Sequence, residues 1–560
     1  MTKRLASIAL LLIYCLCSNG QQAPAGDISG PFPLKSNIYP GTERDYWLYV
    51  PKQYDKAKPA CVMIVQDGLS CAKGWNLPAV LDSMIAAKAI PVTIGIFIDH
   101  GKVPATTTGS YPRYNRSFEY DGMGDRYARF LLEEMLPLVA RSYNISNDPN
   151  DRLIAGASSG AICAFNAAWE KPGAFRRVFS AIGTYVGLRG ADEFATLVRK
   201  TEPKPLRVFL EDGDHDLNIY GGDWWMANQG MLSALTWSGY EVNHAWGDGG
   251  HNGKHASAIL PQALAWLWKD YPAPVAAHNG PERNLRTNII IDNEPWQEIV
   301  TGKLTAEKLA VNKDGQLFFT SEEGIYTVNE TGKISLYVKL PGTPDAICFD
   351  ASGNLYVGST LLHKIFSIDT KGKKTDIISN VYTRFITAGQ KGIYFSSFID
   401  NGIGFYNFSN RKIQHIPLKY MNPTGLALSA EQTFLNLAVS DDVFGYSFQI
   451  KEDGSLAYEQ PYIHYHIPYG FTGSIAMGMT VDTANLLYTA TQMGIQISDQ
   501  LGRVNYIMPM PDQTVKDAKL GGAAFNTLYV TCNGRLFKRR LHTKGVLPYG
   551  TPVKPPKPGL

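Results

Sequence analysis

The second half of the chain repeats one pattern, in which a short apolar run, a polar turn and a β-rich run follow one another. The period is roughly 40 residues, which is typical of the blades of a β-propeller. A ring of blades closes on itself and leaves no long sheet edge exposed. We therefore expect an all-β six-bladed propeller over residues 289–547. The six copies lie at residues 309–321, 346–359, 385–397, 425–441, 478–491 and 522–533.

The first half follows another pattern, in which short apolar runs alternate with helical segments. Such alternation predicts a parallel sheet flanked by helices on both faces. The chain thus divides into two domains, an α/β domain followed by the propeller. The runs that predict strands and helices lie at residues 60–65, 90–98, 127–140, 206–211 and 259–268.

Composition marks the boundaries of these domains. A Pro- and Ala-rich break at residues 271–277 separates the two patterns. We expect the α/β domain to occupy residues 21–275 and a linker to occupy residues 276–288. The Pro- and Lys-rich residues 548–560 are predicted to form a disordered tail.

The N-terminus has the features of an export signal. Lys3 and Arg4 precede an apolar run at residues 8–17, and small residues at 18–20 offer a cleavage site. This run is too short to cross a membrane as a helix. We expect residues 1–20 to be removed and the mature protein to be periplasmic or secreted.

The cysteines do not predict a disulfide framework or a zinc site. Signal cleavage would leave an odd, sparse set, in which Cys61 and Cys71 could pair but buried free thiols are the default. No Cys/His spacing matches a zinc site. The remaining five are Cys61, Cys71, Cys163, Cys348 and Cys532.

Composition also excludes some classes of partner. The chain has 53 lysines and arginines against 50 aspartates and glutamates, and no basic run is interleaved with aromatic residues. Nucleic-acid binding therefore has no support. No later apolar run approaches the roughly 18 residues of a membrane span. The oligomeric state is left open by the sequence.

Gly156-Ala157-Ser158-Ser159-Gly160 stands between a strand-like apolar run and a helix-compatible segment. A G-x-S-x-G pattern in this setting is typical of a nucleophile elbow, a sharp turn that exposes a serine hydroxyl above a sheet. Small residues are needed where the backbones approach closely. The frame favours Ser158 over Ser159 as the nucleophile.

A serine nucleophile needs a histidine base and an acid that orients it. In an α/β-hydrolase the acid follows a late strand, and the histidine comes later in the chain. We predict Asp216 as the acid and His251, which follows two glycines before the closing helix, as the base. The alternatives left open are His215 and His255 for the base, and Glu211, Asp212 and Asp214 for the acid.

The oxyanion hole is predicted from backbone groups. The loop after the early strand offers the N–H of Gly68 or Leu69, and the elbow offers the N–H of Ser159. Trp224 and Trp225 follow the proposed acid and either wall the substrate pocket or pack in the core. The spacing of His251 to His255 does not match a zinc helix, because the glutamate of H-E-x-x-H is missing.

Several stretches, taken as a set, resemble the esterase family that includes enterochelin, feruloyl and acetyl xylan esterases. The resemblance covers roughly residues 30–272 and implies an α/β-hydrolase that cleaves esters with Ser158 and His251. A strong acid partner is not universal in that family. Glu119, within one of these stretches, is a further candidate for the substrate pocket. The stretches are residues 45–51, 65–68, 116–121, the elbow and 249–251.

The repeats of the second half resemble the gluconolactonase and senescence marker protein family. The resemblance implies a six-bladed propeller that binds a divalent cation in its central channel through a Glu, two Asn and an Asp. Here Glu307 is the only retained ligand-like residue, since the P-N-D place reads Tyr382-Thr383-Arg384, and Thr424 and Met477 stand at the other two positions. A thioether and a guanidinium cannot replace hard oxygen ligands. We therefore expect a non-catalytic propeller and no cofactor.

These features predict an exported serine esterase that acts on a small-molecule or polysaccharide ester. An acyl or feruloyl ester of a carbohydrate is preferred, because the esterase is joined to a propeller that resembles sugar lactonases; this is an argument by analogy. The alternatives are a siderophore-ester hydrolase, a metal-dependent sugar lactonase in the propeller, and a non-catalytic glycan-binding protein.

Overall fold

The computed structural model describes residues 23–278, 280, 288–329, 331–397, 401–419 and 423–558. The predicted export signal and most of the predicted linker lie outside these residues. The chain divides into two compact units. The first comprises Met1–Ala191, Leu206–Asn228 and Val242–Val275, and the second comprises Asp192–Pro205, Gln229–Glu241 and Ala276–Leu560. Two segments from the first half of the chain therefore group with the second unit, which the sequence did not indicate.

A ten-stranded sheet forms the centre of the first unit, in the order β12-β9-β8-β7-β3-β4-β2-β5-β6, with β1 paired to β2. Strands β4, β3, β7, β8 and β9 are parallel neighbours, and β2 runs antiparallel to β4. A separate hairpin joins β10 and β11. The strands are β1 (Asp27–Lys35), β2 (Glu43–Val50), β3 (Cys61–Gln66), β4 (Thr93–Ile98), β5 (Lys102–Val103), β6 (Arg113–Tyr114), β7 (Arg152–Ala157), β8 (Arg177–Ala181), β9 (Arg207–Gly213), β10 (Asn218–Ile219), β11 (Gly222–Asp223) and β12 (Glu241–Gly247).

Helices follow half of these strands. A π-helical segment, Phe130–Met135, joins α4 to α5, so residues 126–140 are helical throughout, as the sequence predicted. No helix among the described residues is long and apolar enough to cross a membrane. The helices are α1 (Gly68–Gly74), α2 (Leu77–Ala86), α3 (Arg116–Tyr120), α4 (Arg126–Arg129), α5 (Leu136–Ala140), α6 (Ser159–Glu170), α7 (Phe194–Lys200), α8 (Trp224–Ser238) and α9 (Lys254–Leu267).

The central strands are buried on both faces. All six residues of β3 and of β4 are buried, as a parallel sheet covered by helices requires. The predicted α/β fold is confirmed. Because β3, β7, β8 and β9 are parallel, their carboxyl ends lie along one edge of the sheet, where the loops that follow them can meet.

The cysteines are free. Cys61 and Cys71 do not form the disulfide that the sequence left open, and the other three described cysteines are also unpaired. Burial raises the pKa of the Cys61 thiol to about 12. A buried thiol of high pKa is inert, so these cysteines act as small apolar side chains.

Six four-stranded sheets form the propeller of the second unit, as predicted. The first strand of each sheet lies next to the first strand of its neighbour, so these strands line the central channel. The strands of the first three sheets are β14 (Leu309–Val311), β15 (Leu317–Ser321), β16 (Gly324–Val328), β17 (Ile334–Lys339), β18 (Ala346–Phe349), β19 (Leu355–Ser359), β20 (Lys364–Ile368), β21 (Lys374–Ser379), β22 (Ile386–Ala388), β23 (Gly392–Ser397), β24 (Gly402–Asn407) and β25 (Ile413–Pro417).

The last sheet closes the ring. Its outer strand, β13, comes from before the first sheet and pairs antiparallel with β36, so both ends of the propeller sequence share one sheet. The sixth copy predicted from the sequence, residues 522–533, contains β35 but not the inner strand β34. Charged residues interrupt the apolar pattern of β34, so the repeat pattern did not include this strand. The remaining strands are β13 (Gln297–Ile299), β26 (Pro423–Leu428), β27 (Phe434–Val439), β28 (Phe444–Ile450), β29 (Leu456–His464), β30 (Met479–Val481), β31 (Leu487–Thr491), β32 (Gly494–Ser498), β33 (Val504–Met508), β34 (Val515–Gly521), β35 (Thr527–Cys532) and β36 (Arg535–Arg540).

Turn side chains fix the hairpins of the propeller. The Asp350 carboxylate accepts hydrogen bonds from the N–H groups of Ser352 and Asn354, both at 2.9 Å. Asp482 does the same for the second and fourth residues after it. An Asp or Asn that binds the backbone two residues ahead favours a tight turn. This is the physical basis of the polar turns seen in the repeats.

The Pro/Lys-rich tail was predicted to be disordered, and this was wrong for residues 548–558. Tyr549 is only 5% exposed, and its hydroxyl donates to the Val311 carbonyl at 3.2 Å. The Val553 N–H donates to the Ala430 carbonyl at 2.9 Å. Composition alone indicated disorder because proline and lysine bury little surface, but one aromatic side chain and these bonds hold the tail against the first and fourth sheets.

Replacement of Tyr549 by alanine is expected to destabilise the propeller by about 3 kcal/mol, because a large buried ring is lost. Tyr549→Phe keeps the ring and is expected to cost about 1 kcal/mol for the lost hydrogen bond. Urea unfolding monitored by circular dichroism measures both. Lys554→Ala, at an exposed position of the tail, is the control and should have no effect. Equal stability of all three variants would mean that the tail does not pack.

Candidate active site

Ser158 lies at the turn between β7 and α6. Its backbone has φ 57° and ψ −122°, a left-handed conformation that is strained for a residue with a side chain. The Ser158 N–H donates to the Ala181 carbonyl at 2.9 Å and so anchors the turn to β8. A side chain on Gly156 would overlap the Gly160 carbonyl. The glycine at position 156 therefore allows α6 to begin directly on the end of β7.

Ser158, His251 and Asp216 form one chain of hydrogen bonds. The Ser158 Oγ lies 2.8 Å from Nε2 of His251, and Nδ1 of His251 lies 2.6 Å from Oδ1 of Asp216. The Asp216 side chain is fully buried, and His251 is 23% exposed. In this arrangement Nδ1 donates to the carboxylate, and Nε2 is left to accept the serine proton.

Asp212 is a neighbour of Asp216, the predicted acid, and interacts with its carboxylate. It is fully buried, and it accepts hydrogen bonds from the Gly213 N–H and the Asn228 side chain, each at 2.8 Å. Burial, and then the hydrogen bond to Asp216 and the charge of Asp216, raise the pKa of Asp212 to about 9. At neutral pH Asp212 is therefore a neutral acid. Asp216 Oδ2 accepts no hydrogen bond from an N–H or a hydroxyl group in the described part of the chain, so this oxygen is open to the Asp212 proton.

Asp216 remains ionised in spite of its burial. Burial opposes the charged form, but hydrogen bonds from His251, from Asp212 and from the Leu217 N–H outweigh it and lower the pKa of Asp216. Asp212 and Asp216 thus have opposite protonation states at neutral pH, which is how two adjacent carboxyl groups avoid repulsion. Asp216 is therefore charged, and Asp212 is neutral and acts as a hydrogen-bond donor.

The other candidate histidines and carboxylates lie in separate pairs. Nδ1 of His255 lies 2.8 Å from the buried Glu211, and burial raises the pKa of this glutamate. His215 and Asp214 pair at 2.6 Å on the surface, where they are 76% and 48% exposed. Among the described histidines, His251 is the one that hydrogen-bonds to the elbow serine.

The predicted oxyanion loop follows β3, the strand next to β7. Asp67 and Gly68 both have left-handed φ angles, 61° and 59°, and Gly68 has no room for a side chain because Asp99 approaches it. Arg116 donates two hydrogen bonds to the Asp67 carboxylate, at 2.8 and 2.7 Å. A methyl group on Gly160 would lie 3.3 Å from Asp67 Oδ2, so this loop packs against the elbow.

The backbone groups predicted for the oxyanion hole therefore belong to two adjoining turns. Gly68 and Leu69 are the first residues of α1, and Ser159 is the first residue of α6. The first N–H groups of a helix have no partner within the helix and are available to an external oxygen. The role of these three N–H groups remains a prediction.

Trp224 and Thr184 contact the hydrogen-bonded residues Ser158 and His251. The indole N–H of Trp224 donates to Thr184 Oγ1 at 3.2 Å, and that hydroxyl lies 3.3 Å from Ser158 Oγ. The Trp224 ring meets the His251 ring edge-on at 5.9 Å and is only 3% exposed. Trp224 is thus a buried neighbour of the base, whereas the half-buried Trp225 packs edge-on against Trp246 at 5.3 Å. Thr184 belongs to no motif and could not be found from the sequence.

Glu119, which was predicted for the substrate pocket, is engaged in a buried ion pair. Its carboxylate pairs with the Arg44 guanidinium at 2.6 Å, and both side chains are fully buried. The Gly101 N–H also donates to it at 3.1 Å. A buried carboxylate is retained where a cation and hydrogen bonds compensate for its desolvation. Glu119 is therefore a structural residue, and Arg116 in the same stretch is the residue that reaches the elbow, 3.4 Å from the Ala157 carbonyl.

The propeller channel does not fit the divalent cation implied by its resemblance. Both carboxylate oxygens of Glu307 bind the Lys516 ammonium, at 2.8 and 2.6 Å. Thr424 donates to the Ala476 carbonyl at 2.6 Å, so its hydroxyl is also engaged. No cluster of three or more metal-ligating side chains of the His, Cys, Asp or Glu type occurs in the described ranges. Lys516 takes the place beside Glu307 that a cation would need.

A mostly parallel sheet with an elbow serine hydrogen-bonded to a His–Asp pair is the arrangement typical of the active site of an α/β-hydrolase. Comparison with known proteins agrees with this class, because residues 37–297 match the model of the Esterase family. The resemblance to esterases that was noted from the sequence is thus confirmed for this part of the chain.

Two curated relatives match part of this chain. The chain is 28% identical over 243 residues to the iron(III) enterobactin esterase of Dickeya dadantii (strain 3937), which is 40% of this chain and 52% of that protein. It is 26% identical over 176 residues to protein YbbA of Bacillus subtilis (strain 168), which is 31% of this chain and 69% of that protein. The chain spans about half the length of the enterobactin esterase it matches.

Solved structures of two kinds are also similar. A gluconolactonase from Xanthomonas campestris is 16% identical with a TM-score of 0.40, over 45% of this chain and 91% of that chain. The enterobactin esterase of Shigella flexneri is 22% identical with a TM-score of 0.35, over 45% of this chain and 62% of that chain.

The pairing of Asp212 with Asp216 can be tested on the reactivity of Ser158. Asp212→Asn is expected to react with a fluorophosphonate probe within about threefold of the wild-type rate, because a neutral amide can still donate to Asp216. Asp212→Ala is expected to react about tenfold or more slowly, because a hydrogen bond to a charged group is lost. Labelling rates followed by mass spectrometry measure the difference.

The pH profile separates this role from a purely structural one. Above pH 9, the pKa of Asp212, the wild type loses the donor to Asp216 and gains a repelling charge, so its labelling rate should fall. Asp212→Asn cannot ionise and should show no such fall. If the asparagine variant is as slow as the alanine variant, or falls with pH as the wild type does, Asp212 does not act in this way.

Proposed function

We propose that this chain is a serine hydrolase of carboxylic esters that works through an acyl-enzyme. The observation that carries the proposal is the hydrogen-bonded chain from Ser158 through His251 to Asp216, with Ser158 held in a strained turn. The match of residues 37–297 to the Esterase family supports the same reaction class. The serine mechanism is our inference from the geometry.

In the first half of the reaction Ser158 Oγ attacks the ester carbonyl carbon. Nε2 of His251 takes the hydroxyl proton, and Asp216 stabilises the resulting imidazolium through Nδ1. The carbonyl oxygen becomes an oxyanion, which accepts hydrogen bonds from the N–H groups of Ser159 and of Gly68 or Leu69. His251 then returns its proton to the departing alkoxide, the alcohol leaves, and Ser158 carries the acyl group.

In the second half a water molecule takes the place of the alcohol. His251 removes a proton from the water as it attacks the acyl carbon, and the same N–H groups hold the second oxyanion. Collapse of this intermediate breaks the bond to Ser158 Oγ, which recovers its proton from His251. The products are an alcohol and a carboxylic acid, and no cofactor is required.

We prefer an acyl or feruloyl ester of a carbohydrate as the substrate. Exposed rings flank the site in sequence: Tyr114 and Phe118 adjoin Arg116 and are 57% and 45% exposed, and Tyr220 follows Asp216 and is 94% exposed. Exposed aromatic rings of this kind suit contact with a sugar or a phenolic ring. The propeller that resembles sugar lactonases favours a carbohydrate by analogy.

An iron(III) enterobactin ester is the second candidate. The observation that favours it is the 28% identity to a curated iron(III) enterobactin esterase. Against it stands the partial extent of the match, which covers 52% of the relative. The export signal predicted at residues 1–20 supports action in the periplasm or outside the cell for either substrate. We propose that the propeller does not take part in ester hydrolysis.

The mechanism predicts the effect of removing each group. Ser158→Ala and His251→Ala are expected to lower kcat for p-nitrophenyl acetate by roughly 10³-fold or more, since the triad acts as a unit. Ser83→Ala, at an exposed serine of α2, should leave kcat unchanged. Hydrolysis that persists in both triad variants would contradict the proposal, as would hydrolysis lost in Glu307→Gln but not in Ser158→Ala.

The substrate class needs a direct comparison. Methyl ferulate, acetylated xylan and iron(III) enterobactin should be tested with the wild type, with Ser158→Ala as the blank for each. We expect the highest kcat/KM on one of the first two esters. A higher kcat/KM on iron(III) enterobactin would overturn the carbohydrate preference and leave the serine mechanism intact.

A further inference from the structure

One position of the propeller carries an aromatic side chain in five of its six sheets. It directly follows the first leucine or isoleucine in the second strand of each sheet. Each residue there pairs in the same register with a residue of the inner strand, so the six positions are equivalent. The fourth sheet has Asn436 at this position. The aromatic residues of the other five sheets are Phe318, Tyr356, Tyr394, Tyr488 and Tyr529.

The aromatic side chain fills the space between its own sheet and the next one. The Tyr356 ring stacks on Phe408, in the turn between the last two strands of the third sheet, with ring centres 5.8 Å apart. The Tyr394 hydroxyl donates to the Gly454 carbonyl at 2.7 Å, in the equivalent turn of the fourth sheet. Because asparagine has no ring, the space between the fourth and fifth sheets stays open.

The open space is a groove of about 420 Å³, which we call the Asn436 groove. Small-molecule sites commonly have volumes of about 300 to 1,000 Å³. A cavity of about 150 Å³ takes a benzene ring, so the groove has room for about two sugar rings. Its walls come from the fourth sheet, from the fifth sheet with the turn that begins at Asp499, and from Pro558 of the tail.

Hydrogen bonds fix the walls of the Asn436 groove. The Asn485 side chain, in the first hairpin of the fifth sheet, accepts from the Ala430 N–H of the fourth sheet at 2.9 Å. The Gln500 side chain donates to the Pro556 carbonyl of the tail at 2.8 Å. The groove is therefore formed before a ligand arrives, which reduces the entropic cost of binding.

Free amide groups line the wall that the fourth sheet provides. Asn436 pairs with Ser447, and Ser447 pairs with Gln460, so these side chains form a row across β27, β28 and β29. Gln449 lies two residues further along β28, on the same face. The amides of Asn436, Gln449 and Gln460 make no hydrogen bond to another group in the described part of the chain. An amide both donates and accepts hydrogen bonds, which matches the hydroxyl groups of a sugar.

Three exposed aromatic rings line the same groove. Tyr458 and Tyr462 flank Gln460 on β29, and Phe434 lies two residues before Asn436 on β27. Tyr458 is 78% exposed. The Tyr462 hydroxyl donates to the Gln500 carbonyl at 2.9 Å, which holds its ring at the groove. Exposed rings offer apolar faces on which the C–H groups of a sugar ring can pack.

The charges of the Asn436 groove favour a neutral ligand. Two carboxylates line it: Asp499 pairs with Arg503 at 2.8 Å, and Glu431 accepts a hydrogen bond from the Thr433 hydroxyl at 2.9 Å. No lysine or arginine among the described residues lines the groove. An anionic ligand would meet these carboxylates without a cation to bind, so its binding is disfavoured.

We propose that the Asn436 groove binds a neutral oligosaccharide, whose hydroxyl groups bond to the amides and whose rings pack on Tyr458 and Tyr462. The ligand takes the space that an aromatic ring fills in the other sheets. The groove lies in the propeller and contains none of the residues assigned to ester hydrolysis, so this inference does not depend on the proposed reaction.

Isothermal titration calorimetry of the full-length protein tests the groove with xylohexaose, cellohexaose and mannohexaose, which carry no ester. The wild type is expected to bind at least one of them and not to bind tetragalacturonate, which is anionic. Tyr458→Ala is expected to weaken binding at least fivefold, because a face for the sugar ring is lost. Asn436→Tyr is expected to weaken binding at least tenfold, because the new ring fills the groove as it does in the other sheets.

Two controls separate this result from other effects. Tyr469→Ala, at an exposed tyrosine outside the groove, should bind as the wild type does. Thermal unfolding reports folding, and Asn436→Tyr should unfold at or above the wild-type temperature. Tyr458 is exposed, so its replacement tests binding without a change in the core. Binding of none of the three hexasaccharides by the wild type, wild-type binding by both groove variants, or tighter binding of tetragalacturonate would each overturn the proposal.

Discussion

The site depends on the close contact between the end of β7 and the start of α6. Gly156 has no side chain, so the Gly160 carbonyl can approach it, and Ser158 takes up a left-handed conformation at the top of the turn. The parallel order β3-β7-β8-β9 then sets the positions of the other parts. The Asp67 loop follows β3 and the acid follows β9, so both lie at the same edge of the sheet as the serine.

Neighbouring side chains compensate the charges of important groups in both units. In the hydrolase unit, desolvation keeps Asp212 protonated, so that it donates to Asp216 and leaves one negative charge for His251. In the propeller, the Lys516 ammonium pairs with the Glu307 carboxylate. In each case an ionisable side chain is paired with a neighbouring side chain.

The fold and the serine were predictable because their signals are local. The elbow needs glycines at fixed spacing, and the blades need apolar runs separated by polar turns, so both appear in short stretches of sequence. The role of Glu119 was not predictable, because its partner Arg44 lies 75 residues away. The protonation of Asp212 and the packing of Tyr549 arise from burial, which composition does not report. Asp216 was predicted among four carboxylates at the end of β9, and its hydrogen bond to His251 distinguishes it from the other three.

The central claim is that Ser158 carries the acyl group during turnover. Acid quenching of the enzyme while it hydrolyses an ester with a slowly released acyl group, followed by peptide mass spectrometry, tests this most directly. The acyl mass is expected on the peptide that contains Ser158, and it should be absent when hydroxylamine is added before digestion. An acyl group on another residue, or turnover with no covalent intermediate under burst conditions, would contradict it.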